Sequence, residues 1–498
     1  MALRQVAVSL ISSSTLLTSG MHIGYSAVAV PLMEGGEDFL TVEERSWFAS
    51  IGTIATIVGC LMCGPLLDKL GRKWTLLSVN VPFIIGWTII WTCPSPPPVP
   101  LLYAGRLLTG LGGGMVSIPA NVYIAEMATK SMRSMLVAWP SIAVTLGVTL
   151  VYCFGWVIDN NWRVVAAVCL LCPILTSLLV FFTLKESPTW LAAKGRLKES
   201  EESLKWIRSV KDGNIMPDEV HEEYLSILDN TQTKRRNYVE ERENSSIEDI
   251  ENQNSAKFKQ LKLLTNPDTW KPLVILNSYF FFMQFAGVNV VTAYTVNIMI
   301  AAGIKIDPYL GTFLLGLVQL ICGAVATVIL NRFGRRPMSM LSAVGMTVSM
   351  VGLGAYMQLV TDEQQSKDLS WIPLFLLMAY TITSAAGFRL IPWAMIGEVY
   401  PTRVRGLAGG ITTCFAYLFG FISVKFFPDF VTLLGGGASE ESSEIKTTPG
   451  VFYLYGGVSL VGTVFVYFFL PETLHKTLEE IRRTFLSKRE RENIEMKE

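Results

Sequence analysis

Residues Gly64–Lys73 read GPLLDKLGRK, and this stretch decides the fold. One acid, Asp68, and three bases, Lys69, Arg72 and Lys73, separate two long apolar runs. Each run has about twenty residues, enough to cross a hydrocarbon core of about 30 Å as a helix. Helix is the form to expect, because lipid leaves every backbone polar group to be satisfied within the segment. Residues Leu330–Arg336, LNRFGRR, place nearly the same basic turn between two further apolar runs. An oily chain that writes this turn twice is a repeated bundle of membrane helices.

Composition agrees. The 498 residues are 51% hydrophobic and only 16% charged, against about 25% charged in soluble domains. The alternation over about ten residues that marks a membrane barrel is missing. Twelve spans are predicted, at about 6–31, 46–67, 74–93, 100–122, 135–157, 163–184, 271–297, 309–331, 337–360, 371–398, 407–430 and 450–470. The first is longer than the apolar part of a signal peptide and is read as a span. Basic residues collect at 69–73, 130–133, 332–336, 403–405 and in the tail. The alternate loops, such as Glu34–Glu44, Asp362–Asp368 and Glu440–Glu444, are acidic. The positive-inside rule then predicts a multi-pass protein of the cell membrane with both termini in the cytosol. The sequon at Asn244 would lie in the cytosol, unused.

Net charge is zero, which gives no reason to expect a nucleic-acid partner. The eight cysteines lie in or beside spans and read as packing thiols rather than metal ligands. No cofactor is expected, and no set of nucleophile and base points to an enzyme.

The spans divide six and six around a polar break. The expected units are an N-terminal bundle (1–184), a cytosolic linker with short helices (185–270), a C-terminal bundle (271–470) and a cytosolic tail (471–498). The halves echo each other. Gly71-Arg72-Lys73 corresponds to Gly334-Arg335-Arg336, Glu126…Arg133 to Glu398…Arg405, and Glu186 to Glu472. Basic turns set topology, but topology needs no matching acid. Asp68, Arg72, Lys73, Glu126, Arg133, Glu186, Arg335, Arg336, Glu398, Arg405 and Glu472 are therefore expected to latch the cytosolic side by pairing across the halves. Parallel repeats of this kind suit alternating access.

These residues resemble the major facilitator superfamily and, within it, the sugar porter family. The likeness runs through Gly64, Asp68 and Gly71-Arg72-Lys73, then Gly105-Arg106, Gly110, Gly112 and Gly114, and Pro119, Tyr123, Glu126 and Arg133. It continues through Glu186-Ser187-Pro188, Gln284 with Gly287 and Asn289, Pro392-Trp393 with Glu398, and Pro471-Glu472-Thr473. MIGEVYPTRVRG resembles the insect trehalose-transporter-like branch. The resemblance implies two six-helix pseudo-repeats and facilitative transport of a sugar, trehalose or a hexose. It implies substrate contacts from Gln284, Asn289, Gln319 and Trp393, and an outer gate at Tyr294. Amides suit this task because each both donates and accepts.

The chain departs from the family at Met283, Ser141, Ala385 and Ala416-Tyr417, where sugar-coordinating groups are usual. Arg389 stands in a segment that is normally small-residue. Ser26 stands where proton-driven members carry an aspartate facing the arginine at position 106, so uniport is expected. His22 reads as a packing residue. The alternatives are a carrier of another small solute, anionic because of Arg389, and a nutrient receptor that does not transport.

Overall fold

The computed structural model describes residues 2–34, 36–158, 161–210, 216–243, 264–360, 369–401, 404–435, 448–474, 476 and 478–485. The Asn244 sequon, the acids of Asp362–Asp368 and Glu440–Glu444, and most of the tail lie outside them.

Twelve helices are long and apolar enough to cross a membrane. They are Leu3–Leu32, Val42–Leu70, Arg72–Trp91, Val99–Met127, Trp139–Val157, Trp162–Thr183, Pro267–Ala301, Pro308–Leu330, Arg335–Leu359, Trp371–Val399, Arg405–Lys425 and Pro449–Phe469. Each falls on a predicted span. Exposed apolar stripes mark the lipid face. Leu171, Leu175, Leu178 and Phe182 of the sixth span recur at helical spacing and are all exposed.

Local chemistry sets several ends. Thr41 and Glu44 form a capping box at the start of the second span. Asp307 caps the eighth through the N–H groups of Tyr309 and Leu310. Proline opens several helices, where its missing N–H costs nothing.

Four spans are interrupted. The third is so only briefly, at Val79, between helices Arg72–Ser78 and Asn80–Trp91. The fourth changes direction between Val116 and Pro119, and the tenth between Ala386 and Ile391. The seventh breaks at Gly287, which is left-handed at φ +92°. A broken helix in a membrane frees carbonyls that need donors. Tyr380 Oη supplies one, donating to Ala286 O at 2.9 Å.

The polar break carries helices Pro188–Ala193, Leu197–Ile207 and Asp218–Glu243. Arg208 ties them to the fourth span. It donates to both carboxylate oxygens of Glu223, at 2.8 and 2.6 Å, and to Met127 O at 2.9 Å. The connections after spans two, four, six, eight and ten form one face, called here the basic-loop face. The opposite connections form the acidic-loop face.

Candidate functional site

On the basic-loop face the two halves build the same clasp. Gly71 and Gly334 have φ +90° and +77°, which disfavours a side chain. A Cβ would also stand 2.5 Å from Glu186 Oε2 and 2.7 Å from Glu472 Oε2. Glu186 accepts from the N–H groups of Arg72, at 2.7 Å, and Lys73, at 3.2 Å. Glu472 accepts from Arg335 and Arg336, at 2.9 and 3.0 Å. The guanidinium of Arg72 then grips Glu126 at 2.7 Å, and that of Arg335 grips Glu398 at 2.9 Å. Burial pushes the Glu472 carboxyl up, but N–H groups of Leu474, Arg335, Arg336 and Thr473 outweigh it. They hold the group below the usual glutamate range.

This corrects the expected pairing in the conformation described. Each acid takes a base of its own half, because each basic turn packs directly on the end of the fourth or tenth span. Arg133 is exposed and makes no ion pair among the described residues, and Arg405 donates to Tyr400 O. Asp68 is exposed, and its backbone carbonyl accepts from Trp190 Nε1. Lys73 Nζ reaches Phe181 O at 2.9 Å, and Arg336 reaches Tyr467 O.

The seventh-span break brings two of the amides together. Gln284 and Asn289 converge on Gly420 of the eleventh span, where a Cβ would lie 2.9 Å from Asn289 Nδ2 and 3.3 Å from Gln284 Nε2. Gln284 Nε2 donates to Ala416 O at 3.2 Å, which leaves Oε1 buried without a partner. Asn289 is partly exposed, and its amide bonds nothing among the described residues. Gln319, on the eighth span, keeps an unpartnered Nε2 and is not bonded to the other two. Trp393 remains 36% exposed against Phe280 and Tyr417, with ring centroids 4.8 and 5.6 Å away. Tyr294 is fully buried near the acidic-loop face. It donates to Val424 O at 3.4 Å, within its own half.

Arg106 is fully surrounded by neutral acceptors. Its Nη2 donates to Ser26 Oγ at 2.8 Å, its Nε to Phe48 O at 3.1 Å and its Nη1 to His22 O at 2.9 Å. His22 Nδ1 lies 3.3 Å from Nη1 and 2.8 Å from Thr109 Oγ1. A guanidinium only donates, so Nδ1 accepts from Nη1 only as the bare nitrogen of an uncharged ring. His22 puts a titratable ring beside Arg106 that the sequence reading had kept apart from it.

Among the described residues, the bonds and ring contacts that join the halves lie toward the acidic-loop face. Glu34 Oε1 forms an ion pair with Arg45 Nη1 at 2.8 Å and accepts a hydrogen bond from Asn297 Nδ2 at 2.7 Å. Lys425 Nζ donates to Ser46 Oγ at 2.8 Å and sits 5.0 Å from the Trp47 ring. Tyr152 Oη donates to Thr292 O at 2.7 Å, and Thr149 Oγ1 to Gly316 O at 2.9 Å. Trp156 stacks on Phe313 with centroids 5.8 Å apart. The halves are therefore clamped at one face.

Residues 8–485 match the family described as sugar (and other) transporter. The chain belongs to this family. It is 30% identical over 449 residues to the facilitated trehalose transporter Tret1 of Aedes aegypti, across 90% of this chain and 50% of that protein. To Tret1 of Bombyx mori it is 30% identical over 469 residues, across 94% and 84%. The chain thus spans about half the length of the mosquito relative and most of the silkworm one. It shares its fold with the inward-open xylose transporter XylE from E. coli, with TM-score 0.73 and 22% identity over 96% of this chain and 99% of that one. The architecture is the major facilitator fold of twelve membrane helices.

The family's motifs led to the amides and to the clasp residues. They did not lead to Glu34, Arg45, Asn297, Ser46 or Lys425. The usable signal was a lysine near the end of an apolar span, since such a cation needs a partner.

Proposed function

We propose that the chain moves a small polyhydroxy solute, a sugar, down its gradient across the cell membrane by alternating access. The bundles of residues 1–184 and 271–470 rock against each other around the central site. The basic-loop face is cytosolic, as are both termini. The clamp on the acidic-loop face then leaves the site facing the cytosol, and Tyr294 belongs to the outer gate. Gln284, Asn289, Gln319 and Trp393 hold the solute.

One observation carries this reading. Gln284 Oε1 and Gln319 Nε2 are buried polar atoms without partners. Such atoms cost about 1–3 kcal/mol each when nothing satisfies them. A solute hydroxyl donates to the first and accepts from the second, and Asn289 offers both. The relatives named trehalose transporters support a sugar as the cargo.

The test is uptake of labelled mono- and disaccharides by proteoliposomes holding the full chain. Saturable, gradient-driven equilibration of one sugar supports the proposal. Binding without flux would make the chain a receptor, and neither binding nor flux for any sugar would overturn it.

A further inference from the structure

Arg389 is a cation in the middle of the tenth span that nothing among the described residues neutralises. It sits in the turn between helices Trp371–Ala386 and Ile391–Val399. Its backbone N–H is satisfied by Ser384 O at 3.0 Å. The residue as a whole is partly exposed, and among the described residues its guanidinium makes no hydrogen bond or ion pair. The groups in electrostatic range are Tyr152, from the N-terminal half, and Tyr380. Both phenols have already given their protons to the broken seventh span, at Thr292 O and Ala286 O. They turn only neutral oxygens toward Arg389. The side chain therefore sits between the halves, beside the segment that carries Gln284 and Asn289.

Two bland fates fail. Snorkelling to the basic-loop face is blocked by distance. Nine residues of helix, Ile391–Val399, separate Arg389 from that face. At about 1.5 Å per residue this is farther than an arginine side chain extends. A structural ion pair fails because no carboxylate lies within 4.0 Å among the described residues. A charge at this depth is costly unless a cavity or a partner receives it. Trp393 lies one turn further on, half-open, and offers an apolar face.

We infer that the central site selects a polyhydroxy solute bearing one carboxylate, with Arg389 as its counter-ion. The inference rests on the central-site reading above and narrows its solute class. The planar guanidinium takes a carboxylate through two parallel N–H donors. The amides of Gln284 and Asn289 take the hydroxyls, and Trp393 covers a C–H face. A single cation matches a single negative charge, which favours a carboxylate over a doubly charged phosphate.

The probe pair is D-glucuronate and D-glucose, which differ by a carboxylate for a hydroxymethyl group. Wild-type full-length chain is expected to bind glucuronate more tightly, read by tryptophan fluorescence and by uptake into proteoliposomes. In Arg389→Gln the affinity ratio of glucuronate to glucose should fall about ten- to hundredfold, the usual worth of a hydrogen bond to a charged group. Arg389→Lys should keep part of the preference, which separates loss of charge from misfolding. Glucose 6-phosphate serves as a third arm, and its preference over glucuronate would overturn the carboxylate assignment. Glucose handled without glucuronate in wild type overturns the inference while sparing sugar transport. An unchanged ratio in Arg389→Gln overturns it as well. Glucuronate binding lost in that variant supports it even if no sugar is moved, in which case it is the transport reading that fails.

Discussion

Asn297 donates to Glu34 Oε1 at 2.7 Å, and this bond joins the two halves of the chain at the acidic-loop face. Glu34 also holds Arg45, whose side chain is 0% exposed while that of Glu34 is 20% exposed. The carboxylate thus serves a cross-half amide and a buried cation of its own half at once. Removing one partner of a buried charge pair costs about 3–5 kcal/mol. The part of this loss that bears on the clamp is the Asn297 bond, because it alone joins Glu34 to the other half.

Glu34→Gln should therefore loosen the clamp. Cysteines placed at position 46 or 425 are expected to react faster with a membrane-impermeant thiol reagent from the acidic-loop side. Asn297→Ala, which removes only the cross-half bond, should move the rate the same way by less. Equal reactivity in all three proteins would show that Glu34 only stabilises the first loop.

The clasps make a prediction about glycine. At Gly334 a methyl group meets both a positive φ and the Glu472 carboxylate. With ψ at 157° this backbone lies in a region essentially reserved for glycine, which costs another residue about 1–3 kcal/mol. Gly334→Ala should lower thermal stability in detergent, and Gly71→Ala should do the same through Glu186. The removable part of the strain is the contact with the acid. Gly334→Ala combined with Glu472→Ala should be less destabilised than the sum of the two changes. Strict additivity would count against this geometry.

Acid should undo a different pair of anchors. Hydrogen bonds from Arg163 hold the Asp38 carboxyl below its usual range, against burial that would raise it. Glu472 is lowered by its backbone donors. A carboxyl depressed in the folded state stabilises above its unfolded value, about 4, and loses that contribution as pH falls through the folded value. Thermal stability should be flat near neutrality and fall below about pH 4. Asp38→Asn should start lower and fall less. An Asp38→Asn curve parallel to wild type at every pH would remove Asp38 from the account.

The sequence was readable where the physics is local. Twelve apolar runs and their basic turns place every span, because each helix must satisfy its own backbone. Gly71 and Gly334 announce their turns, since only the turn explains a glycine between a leucine or phenylalanine and an arginine. The partner of Glu126 was not readable in this way. The repeat suggested a base of the other half, whereas the helix ends bring in Arg72 from an earlier turn. The clamp was harder still. Glu34 and Asn297 are ordinary polar residues in their own segments, and only the packing of the first span on the seventh makes them a pair.

Coupling gives the last prediction. Arg106 Nη2 donates to Ser26 Oγ at 2.8 Å, and its other contacts are the carbonyls of Phe48 and His22 and the neutral ring of His22. Among the described residues no carboxylate near Arg106 can load a proton and release the guanidinium, so solute movement should follow its own gradient. Collapsing an imposed pH gradient should leave both the rate and the end point of equilibration unchanged. His22 is the one group beside Arg106 that could still couple. His22→Gln keeps a polar side chain at that position, so it should leave the end point at equilibrium even if it slows the rate. Ser26→Asp puts a carboxylate at hydrogen-bond distance from the guanidinium. Opposite charges this close attract strongly in a low-dielectric interior. The variant should therefore slow uptake at neutral pH and recover rate as external pH falls. Uphill accumulation by wild type under an inward proton gradient would sink the uniport reading. If His22→Gln abolished that accumulation, the proton would be carried on the ring rather than on a carboxylate.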